Sequence, residues 1–405
     1  MIPGPQSLAL QTTLRDFESR NVTYLADDFP IFWESASGAT VTDVDGNAYI
    51  DLDGAFGVAS VGHSNPRITA AIAAQATRLM HGMGDVHPTH VRARLVERLA
   101  SILPQGLSKT FLASTGAEAV EAALKTATLA TGKYRFAAFK GAYHGLSLGA
   151  LGVCGVPKFV EPFAATVKSD TVFLDYGASV DALDAHDDLA ALIVEPVQAR
   201  GGIHVPAPSY LASLRAYCDR RNIVLIFDEI YTGFGRTGAW FASQREGVTP
   251  DIICIGKAMG SGFPISAAVA RAAIMDAWPV SSGEALHTST FLGNPMGCAA
   301  ALATIDEIDS HKLVERASTL GAKLGVRLEK LRARKTVLDV RGVGMMWGIQ
   351  LPDFPAVDRV VKHALRHGVI VLPAGPKGDV LSLTPPLVIE EEQLMAAISV
   401  LEEAL

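Results

Sequence analysis

The chain has 405 residues, 49% of them hydrophobic and 19% charged, with a formal net charge of −7. Single cores stop growing near roughly 250–300 residues, so this length calls for one large unit and a smaller one. The mild acidity excludes a nucleic-acid surface, which needs clustered Lys and Arg to meet phosphates.

No low-complexity or strongly charged block interrupts the chain, which reads as folded throughout. The start, MIPGPQSLALQTTLRDFESR, lacks a basic segment and an apolar core long enough for export, and no stretch offers about 20 uninterrupted apolar residues. Both features read as a soluble cytoplasmic protein with no membrane partner. Cys154, Cys218, Cys254 and Cys298 sit in apolar settings without C-x-x-C spacing, the pattern of free buried thiols. His87 and His90, in HPTH, are too isolated to be ligands, so no metal is expected.

Taken in order, residues 1 to about 30 read as an entry helix, and Gly38 to Leu52 alternates apolar and polar residues around DVDGN, a hairpin signal with Val41, Val44, Tyr49 and Ile50 as packing candidates. From about residue 92 to 300, short apolar runs alternate with alanine-rich helical stretches, the βαβ pattern of a mainly parallel sheet with helices on both faces. The last hundred residues shift to helix, strand, helix, and imply a smaller α/β lobe. The expected division is an N-terminal segment 1–55 that joins the small lobe, a large unit 56–305 and a C-terminal unit 306–405.

Within 221–262, two apolar runs end in charges that a buried strand does not normally choose. Asn222 to Phe227 and Asp251 to Ile255 read as buried parallel strands, and Asp228 and Lys257 follow them. Ligands in such sheets sit beyond the carboxyl ends of the strands, so this acid and this amine could face one molecule. The pairing suits pyridoxal 5'-phosphate: a lysine amine binds the cofactor aldehyde, and a carboxylate keeps the pyridine nitrogen protonated so that the ring draws electrons. Taken singly, either residue reads as a surface charge or a turn cap.

The stretches DEIYTGFGRTG and PDIICIGKAMGSGFPIS resemble the signature of class III aminotransferases, the ornithine, 4-aminobutyrate and ω-amino acid group of fold-type I pyridoxal phosphate enzymes. The resemblance spans roughly residues 35–395. It implies a large domain with a mainly parallel sheet, helices on both faces, and a smaller α/β domain built from both termini. It assigns Thr115, Gly116 and Ala117, at the start of a helix over 116–131, to the cofactor phosphate, with Ser114 beside them. Thr115 and Glu118 have capping-box spacing in their own right. The resemblance also places Tyr143 on the pyridine face with His144 next to it, and Glu195 under the cofactor. Thr290 matches a threonine that the neighbouring subunit contributes to the phosphate site, which implies a homodimer with shared active sites. Phe56, Gly57 and Val58 fall in a loop near the active site and are substrate-pocket candidates.

Three departures bear on the substrate. Ser382 stands where relatives that grip an α-carboxylate carry Arg before Pro-Pro, and Tyr231 stands where many have Gln. Arg200 occupies a position where many relatives with amino-acid substrates have Glu. Serine cannot replace bidentate carboxylate recognition, so the donor either lacks an α-carboxylate or binds it through Arg200. Arg236, in GFGRTG, reads as structural. The function implied is ping-pong transfer of an amino group from an amine, ω-amino acid or amino acid to a keto acid or aldehyde. An amino-acid racemase, epimerase or aminomutase of the same family is the alternative. A dinucleotide-dependent dehydrogenase would need a GxGxxG opening an early helix, which is absent.

Overall fold

The computed structural model describes residues 2–23, 26–167 and 169–405. Seven strands form the central sheet: β1 (Leu107–Ala113), β2 (Arg135–Phe139), β3 (Val172–Leu174), β4 (Leu189–Val194), β5 (Val224–Asp228), β6 (Ile252–Ile255) and β7 (Ser266–Arg271). Their spatial order is β1-β7-β6-β5-β4-β2-β3. β2 pairs parallel with β3 and β4, β4 with β5, and β5 with β6; β7 alone is reversed, antiparallel to both β6 and β1. The mainly parallel sheet expected from the sequence is therefore present.

The strand sequences explain why this sheet is buried on both sides. LAALIV, VLIFD and IICI are buried at every position, as parallel strands covered on two faces must be. The period of two splits each strand between the faces. Val224 and Ile226 of β5 pack with Ala119, Val120, Ala123 and Ala127 of α1 (Gly116–Thr131), whose small side chains let the helix lie close to the sheet. Leu225 and Phe227 point the other way, into the larger core with Leu211, Leu214 and Tyr217 of the helix Tyr210–Arg221.

Two four-stranded sheets flank this unit. Trp33–Ser37, Thr40–Asp43 and Ala48–Asp51 form an antiparallel meander that includes the expected hairpin, and Val369–Ile370 adds to its edge, parallel to Ala48–Asp51. Val41 and Tyr49 are buried there, whereas Val44 and Ile50 are half-buried. Asp339–Val343, Met346–Gln350, Val380–Leu383 and Leu372–Ala374 form the other sheet.

Three expectations are corrected. The entry helix covers only Pro5–Phe17: Glu18 turns to extended backbone, and the β-branched, Asn-containing stretch after it does not favour helix; Tyr24 and Leu25 of the expected helix lie outside the described residues. The strand expected between the helices of the last hundred residues is a hairpin, Asp339–Val343 paired with Met346–Gln350. Gly344 takes φ +57 at its tip, where a Cβ would come within 2.6 Å of the Arg236 carbonyl oxygen. β5 begins at Val224 because Asn222, at φ 52, caps the preceding helix. All four cysteines are free and buried. Among the described residues no helix is long and apolar enough to cross a membrane.

Arg236 is fully buried and joins three parts of the chain. Its guanidinium donates to the Met345 carbonyl at 3.0 Å, to the Pro385 carbonyl and to Ser60 Oγ at 3.0 Å. Burial lowers its pKa to about 10, which leaves it charged at neutral pH. Arg236→Met strips all three acceptors of their donor and is expected to cost about 3–5 kcal/mol. Chemical denaturation would show this as a lowered midpoint, with Arg236→Lys falling in between.

Candidate active site

The carboxyl ends of β4, β5 and β6 lie side by side, and each delivers a charge: Glu195 just after β4, Asp228 as the last residue of β5, and Lys257 two residues after β6. These three line a cavity of about 490 Å³, within the range of small-molecule sites.

Asp228 is 4% exposed and its two oxygens are held separately. Oδ2 lies 2.7 Å from His144 Nδ1, and Oδ1 accepts the Ile230 N–H at 3.1 Å. His144 is also buried, and its Nε2 has no hydrogen-bond partner among the described residues. Glu195 accepts the Tyr143 N–H at 2.9 Å and the Ala199 N–H at 3.0 Å, so it ties together the loops that present Tyr143 and Arg200. Burial pushes Glu195 up to about 7, with His144 lowering it and Asp228 raising it.

Lys257 has φ +44, a left-handed conformation that costs an ordinary residue roughly 1–2 kcal/mol and that the surrounding turn imposes. Gly260 N–H donates to its carbonyl and Met259 N–H to that of Gly256. Nζ lies over the Tyr231 ring, 4.1 Å from the centroid. Burial lowers the Lys257 pKa, while the Asp228 and Glu195 carboxylates act in the opposite direction. The Tyr231 hydroxyl is 3.1 Å from Thr384 Oγ1, and a Cβ on Gly57 would meet the Tyr231 ring at 2.6 Å, so the Phe56 loop needs glycine to pass it.

The first turn of α1 opens on the same cavity through Gly116 and Ala117. Thr115 and Glu118 form a reciprocal capping box: Thr115 Oγ1 accepts the Glu118 N–H at 3.3 Å, and the Glu118 carboxylate takes the N–H groups of Ser114 and Thr115. The cap leaves the Gly116 and Ala117 N–H groups, which have no intrahelical partner, at the positive end of the helix dipole. The backbone N–H groups of Ser114 and Thr115 are thus engaged by Glu118, and neither residue is among those that line the cavity.

Tyr143, Arg200, Phe56, Val58 and Ser382 also line the cavity. The Arg200 guanidinium lies 5.0 Å from the Tyr143 ring centroid and 5.3 Å from that of Phe159. Phe56 is 54% exposed, and Ser382 is buried. Thr290 is exposed and stands outside the cavity. Of the lining residues that the sequence did not single out, Asp53 is the ionisable one, a second acid two residues after Asp51 in the apolar run YIDLDGAFG. Its signal was an ionisable residue beside a glycine in a stretch otherwise free to be apolar.

An amine with a lowered pKa, a buried carboxylate oriented by a histidine, and a helix N-terminus with two free N–H groups together suit a cofactor with an aldehyde, a ring nitrogen and a phosphate. The free helix end, with the Gly116 and Ala117 N–H groups on the cavity, is the feature that such a group would satisfy.

Comparison with known proteins agrees. Residues 23–405 match the family described as aminotransferase class-III. The chain is 41% identical over 391 residues to the acetylornithine aminotransferase of Methanosarcina mazei, covering 96% of this chain and 95% of that protein. Its fold matches the ornithine aminotransferase of Toxoplasma gondii with a TM-score of 0.89 at 30% identity, covering 98% of this chain and 93% of that one. It also matches an amine transaminase from an uncultivated Pseudomonas species, solved in its PLP-bound form, with a TM-score of 0.87 at 32% identity over 96% and 98% of the two chains. These relatives are aminotransferases, and nothing among them favours a racemase or an aminomutase. Such enzymes use pyridoxal 5'-phosphate, which the residues of this cavity fit. The chain belongs to the class III aminotransferases.

Proposed function

We propose that this chain takes an amino group from an amine or ω-amino acid donor and delivers it to a keto acid or aldehyde, with Lys257 and Asp228 as its catalytic residues. The observation that carries this reading is the convergence of Lys257, the Asp228–His144 pair and the open end of α1 on one cavity. When bound, pyridoxal phosphate supplies a conjugated ring that accepts the electron pair left on the substrate carbon. Gly116 and Ala117 would hold its phosphate through their N–H groups, and Asp228, fixed by His144, would hold a proton at the ring nitrogen. Tyr143 would bear on the ring face, and Glu195 positions Tyr143 through its N–H. Lys257 would hold the cofactor covalently through Nζ. Burial favours the neutral amine, which can then act as a base at the substrate carbon and return the proton as an acid.

Among the described residues Arg200 is the only guanidinium on the cavity wall, and Ser382 offers a hydroxyl and no charge. On this reading a donor either lacks an α-carboxylate or lays it against Arg200, whose fork suits a carboxylate. The names of the relatives, an acetylornithine aminotransferase and an amine transaminase, support an amine of this kind. We also take 56–305 as the cofactor-binding unit and count 1–55 with 306–405. The pairing of Ala48–Asp51 with Val369–Ile370 supports that grouping.

A homodimer with shared sites is the proposed assembly. Met80, Met83, Val86, Leu286 and Phe291 are exposed on two adjoining segments, joined by the His81–Phe291 ring contact and by a Thr288–Asp85 hydrogen bond of 2.7 Å. An apolar surface of this kind supports a covered face, and Thr290 lies on it.

Three outcomes are expected. Lys257→Ala should lose the borohydride-fixed cofactor seen by intact mass and lower kcat at least about 100-fold; full labelling with normal turnover would overturn the reading. Arg200→Ala should raise KM for carboxylate-bearing substrates by roughly 10- to 100-fold and leave n-alkylamines little changed. Sedimentation should give twice the chain mass, and an active monomer would exclude the shared site.

A further inference from the structure

Asp53 is the one acid of the cavity wall that the roles above leave unused. It is 3% exposed. Its Oδ2 accepts the Phe56 N–H at 2.6 Å, which caps the turn carrying Phe56. Its Oδ1 receives no hydrogen bond from any described residue, and Asp53 is one of the residues that line the cavity. Asp51, two residues earlier, is a contrast. Its oxygens take the N–H groups of Asp53, Gly54 and Ala55 and lie 2.8 Å from His63 Nε2, so Asp51 is saturated and belongs to the loop.

A turn cap needs one oxygen, which Ser or Asn supplies as well. A largely buried ionisable oxygen that no protein group hydrogen-bonds is costly unless something in the cavity meets it. Burial and the neighbouring Asp51 carboxylate hold Asp53 up at about 7, and Arg236 and Lys257 offset this only in part. The surroundings set the shape of the missing partner. Phe56 and Tyr231 line the cavity beside Asp53 and suit a methylene chain, and Lys257 lies on the Tyr231 face. A carboxylate on the donor near Asp53 would be repelled.

Resting on the aminotransfer reading above, we propose that Asp53 is a specificity residue of the donor site: it receives the second ammonium of a donor carrying two amines while the first reacts at Lys257. A charge-assisted hydrogen bond of this kind corresponds to roughly 10- to 100-fold in affinity.

The test compares the wild-type holoenzyme on putrescine and on n-butylamine, with cadaverine and n-pentylamine as a second pair, by loss of the bound cofactor's absorbance in single half-reactions. The diamine is expected to exceed its monoamine in kcat/KM by roughly 10- to 100-fold. Asp53→Asn and Asp53→Ser each keep an acceptor for the Phe56 N–H, and both should bring the ratio close to one. A ratio near one in the wild type overturns the assignment. So does a ratio that both variants leave unchanged while the two rates fall together, because loss of a turn support alone would do that. If ω-amino acids convert the cofactor while diamines and monoamines behave alike, only the role of Asp53 fails; if no donor converts it, the aminotransfer reading fails and the assignment with it.

Discussion

The structure depends on a carboxylate and an imidazole 2.7 Å apart, both out of water, at the end of the middle strand of the sheet. A buried acid is tolerated only where hydrogen bonds replace its hydration. Asp228 has two, from His144 and from the Ile230 N–H, and both partners are fixed by their own backbones. The strand that carries it is apolar at its other four positions and flanked by β4 and β6. The acid therefore cannot swing toward solvent, and it presents a charge of fixed direction to the cavity.

The other groups are held by similar local devices. The capping box fixes the start of α1 while leaving two N–H groups free. Glu195 spends both oxygens on backbone, so the Tyr143 and Arg200 loops keep one spacing. Lys257, Ala55 and Phe56 all sit at positive φ without being glycine, and the carboxylates of Asp51 and Asp53 hold the latter two in place. Backbone strain of this kind gathers where a side chain must be aimed, and a surrounding network must over-determine it.

Much of this was legible in the sequence because burial on both faces writes a strand as an unbroken apolar run, and a charge at its end breaks that pattern visibly. Asp228, Lys257 and Glu195 stood out for that reason, as did the helix that starts at Gly116. The hairpin at Gly344 did not, since it turns on a contact distant in the chain: its tip fits against the Arg236 carbonyl. Asp53 was passed over because a lone acid beside a glycine reads as a turn residue, and only the fold shows that one of its oxygens serves the turn while the other does not. Thr290 lies on the exposed surface of the single chain, so a sequence match alone could relate it to the site.

The reversed strand β7 has a consequence for how the chain is made. β1, at the edge of the sheet, pairs only with β7, which lies about 150 residues further on, and Ser266 Oγ donates to the Thr115 carbonyl at the start of α1. During synthesis the helix end therefore emerges long before the strand that seats it. The parallel core from β2 to β6 can assemble in order of appearance, while β1 and the head of α1 wait for residue 271 to leave the ribosome. The last step in closing the sheet is thus also the step that seats the head of α1, so a truncated nascent chain leaves the Gly116 and Ala117 side of the cavity unfinished.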